Sequence, residues 1–259
     1  MKVVVLCGGL GTRLREETEF KPKPMIEVGG RPLLWHILKL YRHHGFCDFV
    51  LCLGYKAETI KDYFLKYDAL NSDFTIRLGM QEKIQCHGGE TGQGFRVTLL
   101  DTGQETMTGG RVLRALPHIT GDVFMVTYGD GLADVDIMAL LKFHNAHGKL
   151  ATVTTVRASS RYGMLDVTGA GEIRSFIEKP KIDGWISAGF FVFDRSVFNY
   201  LDGDSCVLER EPMERLARDG QMVAYRHEGV FYSMDTYREF LHLNELWANG
   251  SAPWRVWND

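Results

Sequence analysis

Apolar positions along the chain alternate between two spacings. Lys2 to Cys7 is an apolar run ending in Gly8-Gly9, the pattern of a central strand covered on both faces and followed by a loop. Pro32 then opens a segment in which Leu33, Leu34, Ile37, Leu40 and Tyr41 fall at helical spacing, and Gly45 ends it. Phe49–Leu53 repeats the strand pattern and Ala57–Tyr67 the helix. Two βα units before residue 70 predict right-handed crossovers onto one parallel sheet.

The middle is less regular. Phe74–Leu78 and Phe95–Leu100 read as strands, with the Gly-rich stretch His87–Gly94 between them as a loop. Gly109–Leu116 reads as a short helix, Val123–Thr127 as a buried strand, and Asp134-Val135-Asp136 starts a helix running to about His147. Strands are then expected at Ala151–Val156, Met164–Val167, Ile173–Ile177 and Ala188–Phe193, and helices at Leu208–Arg218 and Arg238–Ala248. The tail Gly250–Trp257 carries two tryptophans that need cover, either on the parent domain or at a subunit contact. The expected architecture is α/β: a Rossmann-like first half and a mixed-sheet second half, interleaved in one domain over residues 1–259. The two halves divide at about residues 1–147 and 148–259.

Composition adds mostly exclusions. With 45% hydrophobic and 24% charged residues the chain is neither disordered nor fibrous. Thirty Lys and Arg against 33 Asp and Glu leave a formal charge of −3, so no global field attracts nucleic acid or an anionic membrane. Val3–Cys7 is too short for a signal peptide, and no window approaches the roughly 18 apolar residues of a membrane span. Five cysteines without a C-x-x-C read as reduced, mostly buried thiols, and the expected location is the cytoplasm.

Local anion binding is a different matter. Gly8-Gly9-Leu10-Gly11-Thr12-Arg13-Leu14 follows the first strand, where missing β-carbons let backbone N–H groups approach phosphate oxygens. The same glycines would equally serve a tight βα turn. The spacing is not the dinucleotide G-x-G-x-x-G, because Leu14 holds the third glycine's place, and no Gly-Lys-Ser/Thr follows as in a P-loop. Lys21-Pro22-Lys23-Pro24 adds cations, each lysine expected to be held extended by the proline after it. Tyr128-Gly129-Asp130-Gly131 ends a buried strand and would aim Asp130 into the crevice beyond the sheet edge. A carboxylate beside phosphates is reasonable if a divalent cation such as Mg²⁺ lies between them. Asp235 is the candidate second carboxylate, with a helix N-cap as the alternative. Glu178-Lys179 follows a strand and Ser187-Ala188-Gly189 opens the next; the pair suits a sugar phosphate or an exposed hairpin corner. His144 and His147 share a helical face but lack a third ligand at metal spacing, so an exposed helix end is expected there.

In combination, Leu6 to Leu14, Lys21-Pro22-Lys23-Pro24-Met25 and Tyr128-Gly129-Asp130-Gly131 resemble the sugar-1-phosphate nucleotidylyltransferases. Arg31-Pro32-Leu33-Leu34-Trp35-His36-Ile37, Asp101-Thr102-Gly103 with Met107-Thr108-Gly109-Gly110-Arg111, and Ala252-Pro253-Trp254 narrow the resemblance to the glucose-1-phosphate cytidylyltransferases. It runs over nearly the whole chain. It implies a Rossmann-like nucleotidyltransferase fold, with a mixed central sheet flanked by helices, that joins CTP to a hexose 1-phosphate with Mg²⁺ as cofactor. By motif position, Leu6, Gly8, Gly9, Gly11, Thr12, Arg13, Lys23, Thr106, Arg111 and Gly129 would hold the nucleotide. Glu178, Lys179, Ser187 and Gly189 would face the sugar phosphate, and Asp130 and Asp235 would bind the metal. Arg13, Lys23, Asp130 and Lys179 would carry the chemistry, and a homo-oligomer is implied.

Three stretches depart from the family pattern. Ser187-Ala188-Gly189 stands where the family usually has Asn-Gly-Gly, Leu208-Glu209 where it has Trp-Glu, and His87–Gly94 replaces a more basic, aromatic segment. The alternatives are a nucleotidylyltransferase with another sugar or nucleotide, a catalytically silent nucleotide-binding subunit, and a nicotinamide dehydrogenase, which the missing third glycine disfavours.

Overall fold

The computed structural model describes residues 1–9, 11, 21–76, 84–87, 94–159, 162–178 and 180–258. Strand β1 (Lys2–Leu6) is followed by a 3₁₀ turn at Lys23–Met25, the small ribbon β2 (Glu27–Val28) and β3 (Arg31–Pro32), and helix α1 (Leu33–His43). Next come β4 (Asp48–Leu53), α2 (Ala57–Leu65), the single turn α3 (Tyr67–Leu70), and the ribbon β5 (Asp73–Thr75) and β6 (Gln85–His87). β7 (Arg96–Asp101), α4 (Thr108–Ala115), β8 (Val123–Tyr128), β9 (Gly131–Ala133) and α5 (Ile137–His147) complete the first half. The second half comprises β10 (Ala151–Ser159), the hairpin β11 (Met164–Val167) and β12 (Ile173–Ile177), and the long β13 (Lys181–Asp194). After these come α6 (Glu211–Arg218), β14 (Met222–Arg226), β15 (Phe231–Ser233) and α7 (Tyr237–Ala248).

Seven strands form one sheet in the order β14-β10-β13-β8-β1-β4-β7. β1 pairs in parallel with β4 and β8, β4 with β7, and β10 with β14, while β13 runs antiparallel between β8 and β10. The sheet is therefore mixed, and its carboxyl edge gathers the loops after β1, β4, β7 and β8. Apolar side chains alternate between its two faces. Val3, Val5 and Met125 pack on one side with α1, while Val4, Val126 and Phe124 face the other with Val112 of α4 and Leu216 of α6.

The structure corrects some local expectations. α6 begins at Glu211 rather than Leu208, because Pro212 suits a first helical turn and the preceding residues form a loop. Lys23 opens a 3₁₀ turn instead of lying extended; the Met25 N–H donates to the Pro22 carbonyl (2.8 Å) and Ile26 to that of Lys23 (3.1 Å), so the chain folds back. Pro24 is tolerated there because a first turn needs no donor from it. His144 is buried, not on an exposed helix end: its Nδ1 and the Nε2 of His147 both meet the Thr152 hydroxyl, at 2.8 and 2.7 Å. Of the five free cysteines Cys7 and Cys52 are buried, and the other three are half-buried. Trp254 and Trp257 find cover on the parent chain, where with Trp35 and Trp247 they surround the buried His36 ring. Among the described residues no helix is long and apolar enough to cross a membrane.

Candidate active site

At the carboxyl edge of the sheet a pocket of about 390 Å³ opens between the loop after β1 and the approach to α4. Its walls include nine residues singled out from the sequence: Leu6, Gly8, Gly9, Gly11, Lys23, Thr106, Arg111, Gly129 and Asp130. Glycine at position 8 is required by Arg111, since a β-carbon there would lie 2.1 Å from the guanidinium Nη1. Arg111 is itself buried. Its Nη1 donates to the Leu53 carbonyl (2.9 Å), the Thr102 hydroxyl (2.7 Å) and the Gly103 carbonyl (2.8 Å), and its Nη2 to the carbonyls of Gly8 and Gln104, both at 3.1 Å. One guanidinium thus binds together the chain ends that follow β1, β4 and β7. Burial lowers its pKa from the usual arginine value. The Cys7 thiol on the same wall is pushed well up, chiefly by burial and then by the Cys52 thiol and the Asp130 carboxylate, so it stays protonated and is no nucleophile.

The charged centre is assembled over long stretches of sequence. Lys23 Nζ donates to Asp130 Oδ2 at 2.7 Å and to Asp235 Oδ1 at 2.6 Å. The lysine side chain is 9% exposed and that of Asp235 11%, while Asp130 is 34% exposed and faces the pocket. The antiparallel pairing of β9 with β15 brings the acids together: Ser233 lies opposite Gly131, and the Met234 N–H donates to the Asp130 carbonyl (3.2 Å). The Ser233 hydroxyl fixes the second Asp235 oxygen (2.7 Å). Asp235 is not the N-cap of α7. Thr236 takes that place in a capping box with Glu239, whose carboxylate also accepts the Asp235 N–H at 2.8 Å.

The Asp130 and Asp235 oxygens that meet at the Lys23 ammonium are hard donors of the kind Mg²⁺ takes, which typically binds one or two carboxylates and completes its shell with waters and substrate phosphates; a metal on both would require the ammonium to move off them. Among the described residues no group of three or more His, Cys, Asp or Glu side chains forms an all-protein metal cage.

On the far side of Tyr128, Gly189 adopts φ +77°, and a β-carbon there would lie 2.3 Å from the tyrosine ring. The Gly189 N–H donates to the Ser187 hydroxyl (3.2 Å). Glu178 follows the exposed strand β12, and neither it nor Ser187 nor Gly189 lines the pocket. Thr12, Arg13, Lys179 and the core of the 87–94 stretch lie outside the described residues. Sequence reasoning missed the parts played by Thr102, Ser233 and Glu209. The Glu209 carboxylate accepts the Tyr128 hydroxyl and the Thr108 hydroxyl, the latter at 2.6 Å. No local spacing links positions 108, 128 and 209.

Comparison with known proteins adds the family. The nucleotidyl transferase family model matches residues 2–236. The chain is 48% identical over 259 residues to the glucose-1-phosphate cytidylyltransferase of Salmonella typhimurium, covering 99% of this chain and all of that one. It is 42% identical over 258 residues to the probable glucose-1-phosphate cytidylyltransferase of Bacillus subtilis, again covering 99% of this chain and all of the relative. Among solved structures, HddC from Yersinia pseudotuberculosis superimposes with a TM-score of 0.71 at 22% identity, over 95% of this chain and 99% of that one. This last likeness is one of fold.

Proposed function

The chain belongs to the nucleotidyl transferase family, and we propose that it transfers a cytidylyl group from CTP to a hexose 1-phosphate, giving a CDP-hexose and pyrophosphate. Near-complete alignment with glucose-1-phosphate cytidylyltransferases supports α-D-glucose 1-phosphate as the acceptor. The observation that carries the reading is the convergence of Lys23, Asp130 and Asp235 at the mouth of a pocket walled by the glycine loop.

In this reading CTP lies between Gly8–Gly11 and Gln104–Thr108, with its α-phosphate at Lys23. A sugar phosphate with a second pKa near 6 is largely dianionic at neutral pH, so its oxygen is already nucleophilic and no general base is required. That oxygen forms a bond to the α-phosphorus as the bond to pyrophosphate breaks on the opposite side. The chief obstacle is bringing two polyanions together. Lys23 counters it by charge, and the backbone N–H groups of the glycine loop by direct donation. Arg13 and Lys179 are assigned further cationic roles, and Glu178, Ser187 and Gly189 the acceptor side. Asp130 and Asp235 would hold Mg²⁺, which when bound offsets phosphate charge. The same reading takes the protein as a cytoplasmic homo-oligomer.

Pyrophosphate release with each of four nucleoside triphosphates and a panel of sugar 1-phosphates tests the proposal. Release with CTP and glucose 1-phosphate is expected. Release with dTTP alone would overturn the cytidine assignment, and the absence of release with every one of the four triphosphates would favour a silent subunit.

A further inference from the structure

We propose that Glu209 is a positioning residue for the sugar acceptor, holding Tyr128 upright as the wall between the nucleotide pocket and the Ser187–Gly189 side; this rests on the nucleotidyl-transfer reading above. Tyr128 ends β8 immediately before Gly129-Asp130. Tyr128 lines the pocket, and its ring packs so closely on Gly189 that a β-carbon would sit 2.3 Å away. Its hydroxyl donates to one oxygen of Glu209, while the other oxygen accepts the Thr108 hydroxyl (2.6 Å). Burial, and then the Glu209 carboxylate, push the phenol far above its usual range, so it remains a donor at every working pH.

Glu209 does not itself line the pocket; it is fixed from behind. The Leu208 N–H donates to Thr108 Oγ1 (2.9 Å), the Met107 N–H to the Asp204 carbonyl (2.8 Å), and the Gly109 N–H to that of Cys206 (2.9 Å). These contacts seat residues 204–209 on the first turn of α4. The approach is tight: a β-carbon at Gly109 would lie 2.6 Å from Cys206 Sγ, and one at Gly110 2.8 Å from the Asp204 Cα. Of the first-turn donors of α4, the N–H groups of Gly109 and Gly110 are met by the Cys206 carbonyl of this strap. The nucleotide walls at Gly8 and residues 102–104 are held separately, by the five hydrogen bonds of Arg111. Loss of Glu209 leaves the five Arg111 hydrogen bonds in place and removes the acceptor shared by the Tyr128 and Thr108 hydroxyls.

The test is a set of steady-state constants for the wild type, Tyr128→Phe, Glu209→Ala, Glu209→Gln and the Tyr128→Phe/Glu209→Ala double variant. Tyr128→Phe and Glu209→Ala should each raise the KM for the hexose 1-phosphate roughly tenfold, the equivalent of one lost charge-assisted hydrogen bond. The KM for CTP should move less than about threefold. The double variant should be no worse than Glu209→Ala alone, because both substitutions cut the Tyr128–Glu209 bond and only Glu209→Ala also removes the acceptor of the Thr108 hydroxyl. Glu209→Gln, whose amide oxygen still accepts the phenol, should restore most of the acceptor affinity. Equal shifts in both KM values, additive effects, or an unchanged acceptor KM would overturn the proposal. Should Glu209→Ala fail to fold, Tyr128→Phe carries the test alone. A wild type inactive with CTP and hexose 1-phosphates would instead refute the substrate reading, and the same ratios with whatever pair it does use would still judge the brace.

Discussion

Replacing Lys23 by Met removes the one ammonium that Asp130 and Asp235 share while keeping most of its volume. The two bonds are 2.7 and 2.6 Å long, and the lysine and Asp235 are almost fully enclosed. Breaking a buried ion pair by deleting one partner costs about 3–5 kcal/mol. Asp130 is a third exposed and water reaches it, so its share is discounted and the expected loss is about 2–4 kcal/mol in metal-free buffer. The variant then offers a divalent ion two carboxylates that have lost their shared ammonium. Mg²⁺ at 100 times its dissociation constant would return about 2.7 kcal/mol, whereas in the wild type the ammonium competes for the same oxygens and the gain is smaller. Urea denaturation of both proteins, first in EDTA and then across a Mg²⁺ series, measures this directly and needs no turnover. If Mg²⁺ stabilises Lys23→Met no more than the wild type, these acids do not form an ion site.

Gly8→Ala puts a β-carbon 2.1 Å from Arg111 Nη1, so the guanidinium must leave its five acceptors. The expected result is a KM for CTP raised roughly tenfold and a stability lower by about 2 kcal/mol or more, and wild-type values would refute the locking role of Arg111. Trp254→Ala empties the best-covered site in the tail, where the indole is 1% exposed, and should cost about 3–5 kcal/mol in urea denaturation; a loss under about 1 kcal/mol would mean that the tail is dispensable. Burial lowers the His36 pKa from 6.5 to about 4. The unfolded chain therefore binds the extra proton between those values, and stability is full above pH 6.5 and falls as the pH drops towards 4, by at most about 3 kcal/mol. His36→Phe should flatten that part of the pH–stability curve, and an unchanged slope would remove His36 as its source.

How much of this was legible in the sequence follows from the range of each interaction. β1, β4 and β8 were visible because strands covered on both faces are continuous apolar runs, and α1 because Leu33, Leu34, Ile37, Leu40 and Tyr41 keep a helical stripe. β14 and the β9–β15 ribbon were not, because Met222–Arg226 and Phe231–Ser233 are short and half-exposed and acquire strand character only from their partners. The glycine loop and Asp130 were found as local motifs at a strand end. Asp235 became a firm candidate only through resemblance, since its approach to Lys23 depends on a ladder that joins residues a hundred positions apart. His144 was misplaced because the helical pattern does not reveal that Thr152 lies beside it. Glu209 stands in one of the departures from the family pattern, but its partners at 108 and 128 come from different elements.

A crystal structure with a CDP-hexose and Mg²⁺ bound is the most direct measurement. The diphosphate should lie against Lys23 Nζ with its cytidine between Gly8–Gly11 and Gln104–Thr108, the hexose beyond Tyr128 towards Ser187, and metal density between Asp130 and Asp235. A diphosphate bound elsewhere on the sheet edge, or a metal that touches neither carboxylate, would contradict the cytidylyl-transfer site described for this chain.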